Sequence, residues 1–136
     1  MKEAARTLDF TRPAAVILVA ILHFIPDADD PGGLVAALTS TLALGSFVAI
    51  SHLTADFAPE QVGAGVAAYN TLVPAGITAR SHPQITDLFG GLALVAPGVV
   101  PVSEWRPDHA PLHGVSADMY AGLATTRRPA GHTITS

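Results

Sequence analysis

The chain has 136 residues and a mass of 13.9 kDa, room for one domain. It is 49% hydrophobic and 13% charged, which excludes intrinsic disorder over most of its length and supplies material for a packed core. Eleven acidic against seven basic residues leave a formal charge of −4, which argues against a nucleic-acid clamp, and the lack of cysteine excludes disulfides, thiolate catalysis and Cys-ligated metal. The first long apolar run, residues 14–25 (AAVILVAILHFI), is about eight residues short of a membrane span. Lys2, Arg6 and Arg12 ahead of it suggest a secretory leader. Against that, Glu3 and Asp9 interrupt the positive charge and the run ends in His-Phe-Ile-Pro-Asp instead of a small-x-small cleavage pattern. The expectation is a cytoplasmic chain with no membrane segment.

Within that run, residues 14–22 are rich in Val, Ile and Leu without alternation, the pattern of a strand buried on both faces of a parallel sheet. Asp30 then caps a helix with Pro31 at its first position, Leu34, Val35, Leu38 and Leu42 on one stripe, and Gly45 at its close. Residues 46–53 (SFVAISHL) form a second apolar strand, which completes a strand–helix–strand unit. Pro59 opens another helix with Val62, Val66, Tyr69 and Val73 on one face, stopped at Pro74-Ala75-Gly76. Ser81 and Gln84 make a capping box over a short helix through Ile85, Leu88 and Phe89. Residues 92–102 read as a bent edge strand broken by Pro97-Gly98, residues 104–118 as a polar loop, 119–126 as a last strand and 127–136 as a flexible tail. Parallel crossovers are right-handed, so two that progress one way along a sheet leave their helices on one face and the other face bare. The first strand is nevertheless apolar on both sides, so its second face and its free edge call for cover from outside these 136 residues.

RPAAVILVAILHFIPDADDP at 12–31, GSFVAISHLTAD at 45–56 and RSHPQITDLFGGLALVAPGVVPVSEWRPD at 80–108 resemble an actinobacterial S-adenosylmethionine-dependent methyltransferase family; Tyr120-Ala121-Gly122-Leu123 resembles its last strand more loosely. The resemblance implies an α/β fold: a partial Rossmann-like class I methyltransferase sheet, comprising the carboxyl-terminal strands 4 to 7 with two or three helices, over residues 1–126. The family's first three strands, with their glycine-rich turn and ribose-binding acid, have no counterpart, and only one wall of the cofactor crevice is represented.

On this resemblance Leu22, His23 and Phe24 form the S-adenosylmethionine wall, and His23, at the carboxyl end of the first strand, is the catalytic proton acceptor. The plainer readings are a strand-capping histidine and a core phenylalanine. His52 comes to the same rim. Asp27, Asp29 and Asp30 lack the glycine and glutamate of a calcium loop and read as helix-capping charge, so no metal is expected. His109 and His113 are loop residues because Pro111 stands between them. Trp105 anchors a loop, with Arg106 and Asp108 as a local ion pair. The resulting expectation is half of a methyltransferase acting on an unknown small molecule, with little activity alone. The alternative is a non-catalytic interaction module that dimerises through its open sheet.

Overall fold

An unbroken Ala-Val-Ile-Leu-Val run favours extended backbone, and the computed structural model, which describes residues 9–108 and 118–126, places strand β1 at Ala15–Val19. The strand is shorter than the apolar run that announces it. Ala20 takes a left-handed conformation (φ 53°), after which Leu22–Phe24 and Asp27–Asp29 form two single 3-10 turns. His23 therefore sits in a turn past the strand and not at its last residue. Helix α1, Pro31–Thr39, starts as expected, the Asp30 carboxylate accepting from the Gly33 N–H at 2.9 Å. It ends well before Gly45. The hydroxyls of Thr39, Ser40 and Thr41 bond the carbonyls three residues earlier, the local competition that shortens helices rich in Ser and Thr. Val35 is its core contact, whereas Leu34 is exposed.

Strand β2, Phe47–Leu53, pairs parallel with β1, Ile17 opposite Ala49. Helix α2, Pro59–Leu72, buries Val62 and half-buries Val66 and Tyr69 as the spacing predicts, with Val73 the extended residue just past its end, and α3, His82–Asp87, carries its capping box, with Gln84 Oε1 accepting from the Ser81 N–H at 2.9 Å. The expected bent edge strand is two fragments, β3 (Ala93–Leu94) and β4 (Val100–Pro101), separated at Pro97-Gly98. Proline cannot donate to the ladder, which explains the break. Strand β5, Met119–Thr125, runs antiparallel between β2 on one side and β3 and β4 on the other, giving the order β1-β2-β5-β3. The last strand in sequence is thus internal to the sheet. Residues 109–117 and 127–136, with His109, His113 and the expected tail, lie outside the described residues.

Strand alternation separates two faces. Val48, Ile50, Tyr120 and Ala124 point into a core closed by Leu22, Val35, Ile85 and Phe89. One face thus carries α1 and α3, as the crossover rule requires. The opposite face, with Ile17 (68% exposed), Val19 (56%) and Phe47 (42%), is largely open. Trp105 covers part of it beside an apolar hollow of about 370 Å³. Arg106 does not pair with Asp108; its guanidinium donates to the Ala96 carbonyl (3.0 and 2.6 Å) and lies over the Trp105 ring. Among the described residues no helix is long and apolar enough to cross a membrane.

The core closes on a glycine. A Cβ at Gly122 would stand 2.9 Å from Phe89 Cζ and 3.1 Å from Val99 Cγ2, and Phe89 is buried. Gly122→Val should therefore destabilise the fold by about 2 kcal/mol through overpacking, read as a lower urea midpoint. An unchanged midpoint would show that the β5–Phe89 contact is slack.

Candidate functional site

The carboxyl ends of β1 and β2 meet at a rim built around Arg80, which is 3% exposed. A buried guanidinium is tolerated only if its donors are satisfied. Nε and Nη2 donate to Asp27 Oδ1 (3.1 and 2.7 Å), Nη2 also to the Ile25 carbonyl (2.8 Å), and Nη1 to the Leu22 carbonyl (3.1 Å) and His52 Nε2 (2.8 Å). All five N–H groups are used. The residue's backbone N–H reaches back to the Leu53 carbonyl at 3.0 Å, so the side chain emerges directly at the end of β2.

This network assigns the tautomer of His52. Arginine is a donor only, so Nε2 must accept, and the proton resides on Nδ1, which donates to the Leu53 carbonyl at 2.8 Å. His52 is fully buried, and that burial, outweighing the Leu53 hydrogen bond and reinforced by Arg80, pushes its pKa down to about 4. Both ring nitrogens are committed, so His52 has no site for a proton from elsewhere.

His23 lies edge-on to His52, ring centroids 5.7 Å apart, and 4.5 Å from Phe24. The expectation that the two imidazoles share a rim is met. Burial first, then the Arg80 charge, lowers the His23 pKa, so the ring is neutral at pH 7. Its Nδ1 is buried without a partner. Phe24 is 43% exposed and 6.5 Å from Tyr69, so it is a rim residue and not a core one. The Leu22 side chain, by contrast, is wholly inside the core and its carbonyl is taken by Arg80.

Two of the three aspartates take different roles. Asp30 caps α1, as expected; Asp27 is the partner of Arg80 and not a cap. Among the described residues no group of three or more His, Asp or Glu is placed to hold a metal. From the sequence Arg80 stands out only as the residue ahead of the capping box, with structural anchoring as its reading and no place in the site. The sequence passes over a second set behind the rim. Tyr120 hydrogen-bonds Asp56, and its phenol is held above its usual range by burial and then by the Asp56 charge. Asp56 Oδ2 also accepts from the His82 N–H at 2.9 Å, and His82 Nε2 donates to the Val99 carbonyl. These contacts tie α3 to β5 and leave the phenol protonated.

A family model described as S-adenosyl methyltransferase matches residues 1–127. A DUF574 family protein from Streptomyces avermitilis is similar at 40% identity with a TM-score of 0.82, over 89% of this chain and 47% of that one. A protein from Thermobifida fusca described as a candidate methyltransferase is similar at 30% identity with a TM-score of 0.78, over 90% and 47%. The chain spans about half the length of these solved structures. No curated protein gives a significant match.

The depressed His52 pKa links stability to pH. The unfolded imidazole gains its proton near 6.5 and the folded one near 4, so between these values the unfolded state binds more protons. The contribution of neutral His52 is complete above about 6.5 and lost as pH falls toward 4. Urea unfolding should give a stability about 2 kcal/mol lower at pH 5 than at pH 7.5, and His52→Gln should flatten that slope. An equal slope in the variant would place the dependence on other groups.

Proposed function

This chain belongs to the S-adenosyl methyltransferase family, and from that premise we propose that it supplies the carboxyl-terminal half of a methyltransferase sheet, with β1 as one wall of the S-adenosylmethionine crevice and His23 as the proton acceptor. The observation that carries this reading is the extent of the structural likeness: 89% of this chain superposes at a TM-score of 0.82 on only 47% of its Streptomyces relative. Within the sheet an antiparallel strand, β5, stands between two strands of like direction, β2 and β3.

The residues on the rim suit one side of the cofactor. The half-exposed face of Phe24 fits an adenine or a sulfonium, and Nδ1 of His23 is a buried polar atom that no protein group satisfies. Leu22 contributes only by shaping the turn from beneath. The opposite wall has no counterpart among the described residues, because β1 is the terminal strand of the sheet. When bound, S-adenosylmethionine supplies an electrophilic methyl group on a sulfonium. The chain's own part is to orient, to exclude water at the apolar rim, and to take the acceptor's proton on neutral His23. Of the two imidazoles only His23 has a free nitrogen for that task. We take the acceptor to be a small molecule; the net charge of −4, with Arg12, Arg80 and Arg106 apart among the described residues, argues against nucleic acid.

Isothermal titration of the 136-residue chain with S-adenosylmethionine should give no saturable heat in the micromolar range. Fusing the chain behind the half of the Streptomyces relative that it does not cover should restore binding, and His23→Gln in that fusion should lower turnover about a hundredfold with binding retained. A saturable micromolar heat from the chain alone overturns the one-wall reading, and none from the fusion overturns the cofactor reading.

A further inference from the structure

We propose that Arg80 is a positioning residue for the rim that carries His23 and Phe24, acting by holding the turn after β1 against the end of β2. The role rests on the methyltransferase reading for its purpose, but the geometry that supports it is independent of any ligand.

The connection from β1 to α1 has little to define it locally. It contains two single 3-10 turns and no strand pairing, and non-glycine residues in the left-handed region stand at both ends, Ala20 at φ 53° and Asp30 at φ 49°. Such backbone persists only where the surroundings over-determine it. The two ends are held elsewhere, Ala20 by its N–H to Ser51 and Asp30 by its cap on Gly33, so what ties down the turns between them is one short segment. The Thr78 N–H donates to the His23 carbonyl at 2.8 Å, and two residues later the Arg80 side chain takes the Leu22 and Ile25 carbonyls and the Asp27 carboxylate. The Arg80 backbone is itself bonded to Leu53. Every polar tie from this segment to residues 22–27 thus ends on Thr78 or Arg80, and Arg80 alone also reaches the second imidazole.

Relative magnitudes indicate which ties matter. The Asp27 side chain is 73% exposed, so its ion pair with Arg80 is screened and contributes little. The carbonyl bonds lie away from solvent; without Arg80 the Leu22 carbonyl would keep only the Ile25 N–H and the Ile25 carbonyl would lose its donor, at the cost of its desolvation. The position is therefore set by the shape of the fork and not by its charge. Lysine, with three donors on a point charge, cannot reach two carbonyls, a carboxylate and an imidazole at once. The groups facing His23 are Arg80 and His52, with Asp27 on the far side of the guanidinium.

The test is amide hydrogen exchange on the full chain, wild type against Arg80→Lys. The amides of Phe24 and Ile25, which donate within the turn to Ile21 and Leu22, should exchange at least tenfold faster in the variant, while those of Val48 and Ile50 keep their rates. The His23 titration, followed by NMR, should also move up toward that of a free imidazole. Uniform acceleration across β2 as well, or none at the turn, overturns the proposal. Should Arg80→Lys fail to fold, Asp27→Ala removes the exposed ion pair and keeps the bonds to the Leu22 and Ile25 carbonyls. Rates at Phe24 and Ile25 within twofold of wild type support the proposal, and a local acceleration of threefold or more there overturns it by showing that the ion pair, not the fork on the carbonyls, holds the turn. No arm contains cofactor, so a negative result here and a negative cofactor titration are separate failures.

Discussion

A guanidinium out of water must be matched donor for donor, and the way this chain meets that demand organises everything near the end of its first two strands. Arg80 reaches across from residues 22–27 to His52. The partners are contributed by segments 28 to 58 residues away in sequence, so the network exists only once β1, β2 and the segment before α3 have come together. Its by-product is an asymmetric pair of imidazoles. One is locked, neutral and used at both nitrogens; the other is neutral with a nitrogen unspent. Two identical side chains on one rim have been given different chemical prospects by their neighbours.

The sheet itself is built unequally. Its inner face closes on Phe89 and Ile85, with Gly122 providing the close approach that a side chain would forbid. The outer face leaves Ile17 and Val19 largely in water, at a cost of roughly 1.5 kcal/mol or more for each aliphatic side chain that burial would have recovered. The strand is thus apolar on both sides yet covered on one, in a chain that superposes on about half of each larger relative. Trp105 shelters only a corner of that face, and its indole N–H is buried without an acceptor.

Local features were the most legible. Asp30 with Pro31, Ser81 with Gln84, and the Val62-Val66-Tyr69 stripe all appear where their spacing placed them, because each depends on contacts within about four residues. The elements that were misjudged answer to longer-range or competing forces. The helix expected to run to Gly45 stops at Thr39, where hydroxyls capture the carbonyls, and the apolar run from Ala14 breaks at Ala20 because the chain must turn to place Leu22 in the core. Arg106 turned from its neighbour Asp108 to a carbonyl that the Pro97 bend brought near.

The sequence by itself determined the fold class, the family, the order of strands and helices, and the rim on which His23 and His52 meet, since hydrophobic period, caps and motif strings are properties of neighbouring residues. Only the tertiary structure decided that the last strand enters the middle of the sheet, that Asp27 serves Arg80 and not a helix end, and that His23 keeps a free nitrogen while His52 does not. These outcomes turn on burial and on donors meeting acceptors from distant segments, and neither is written in the order of the residues until the chain has closed upon itself.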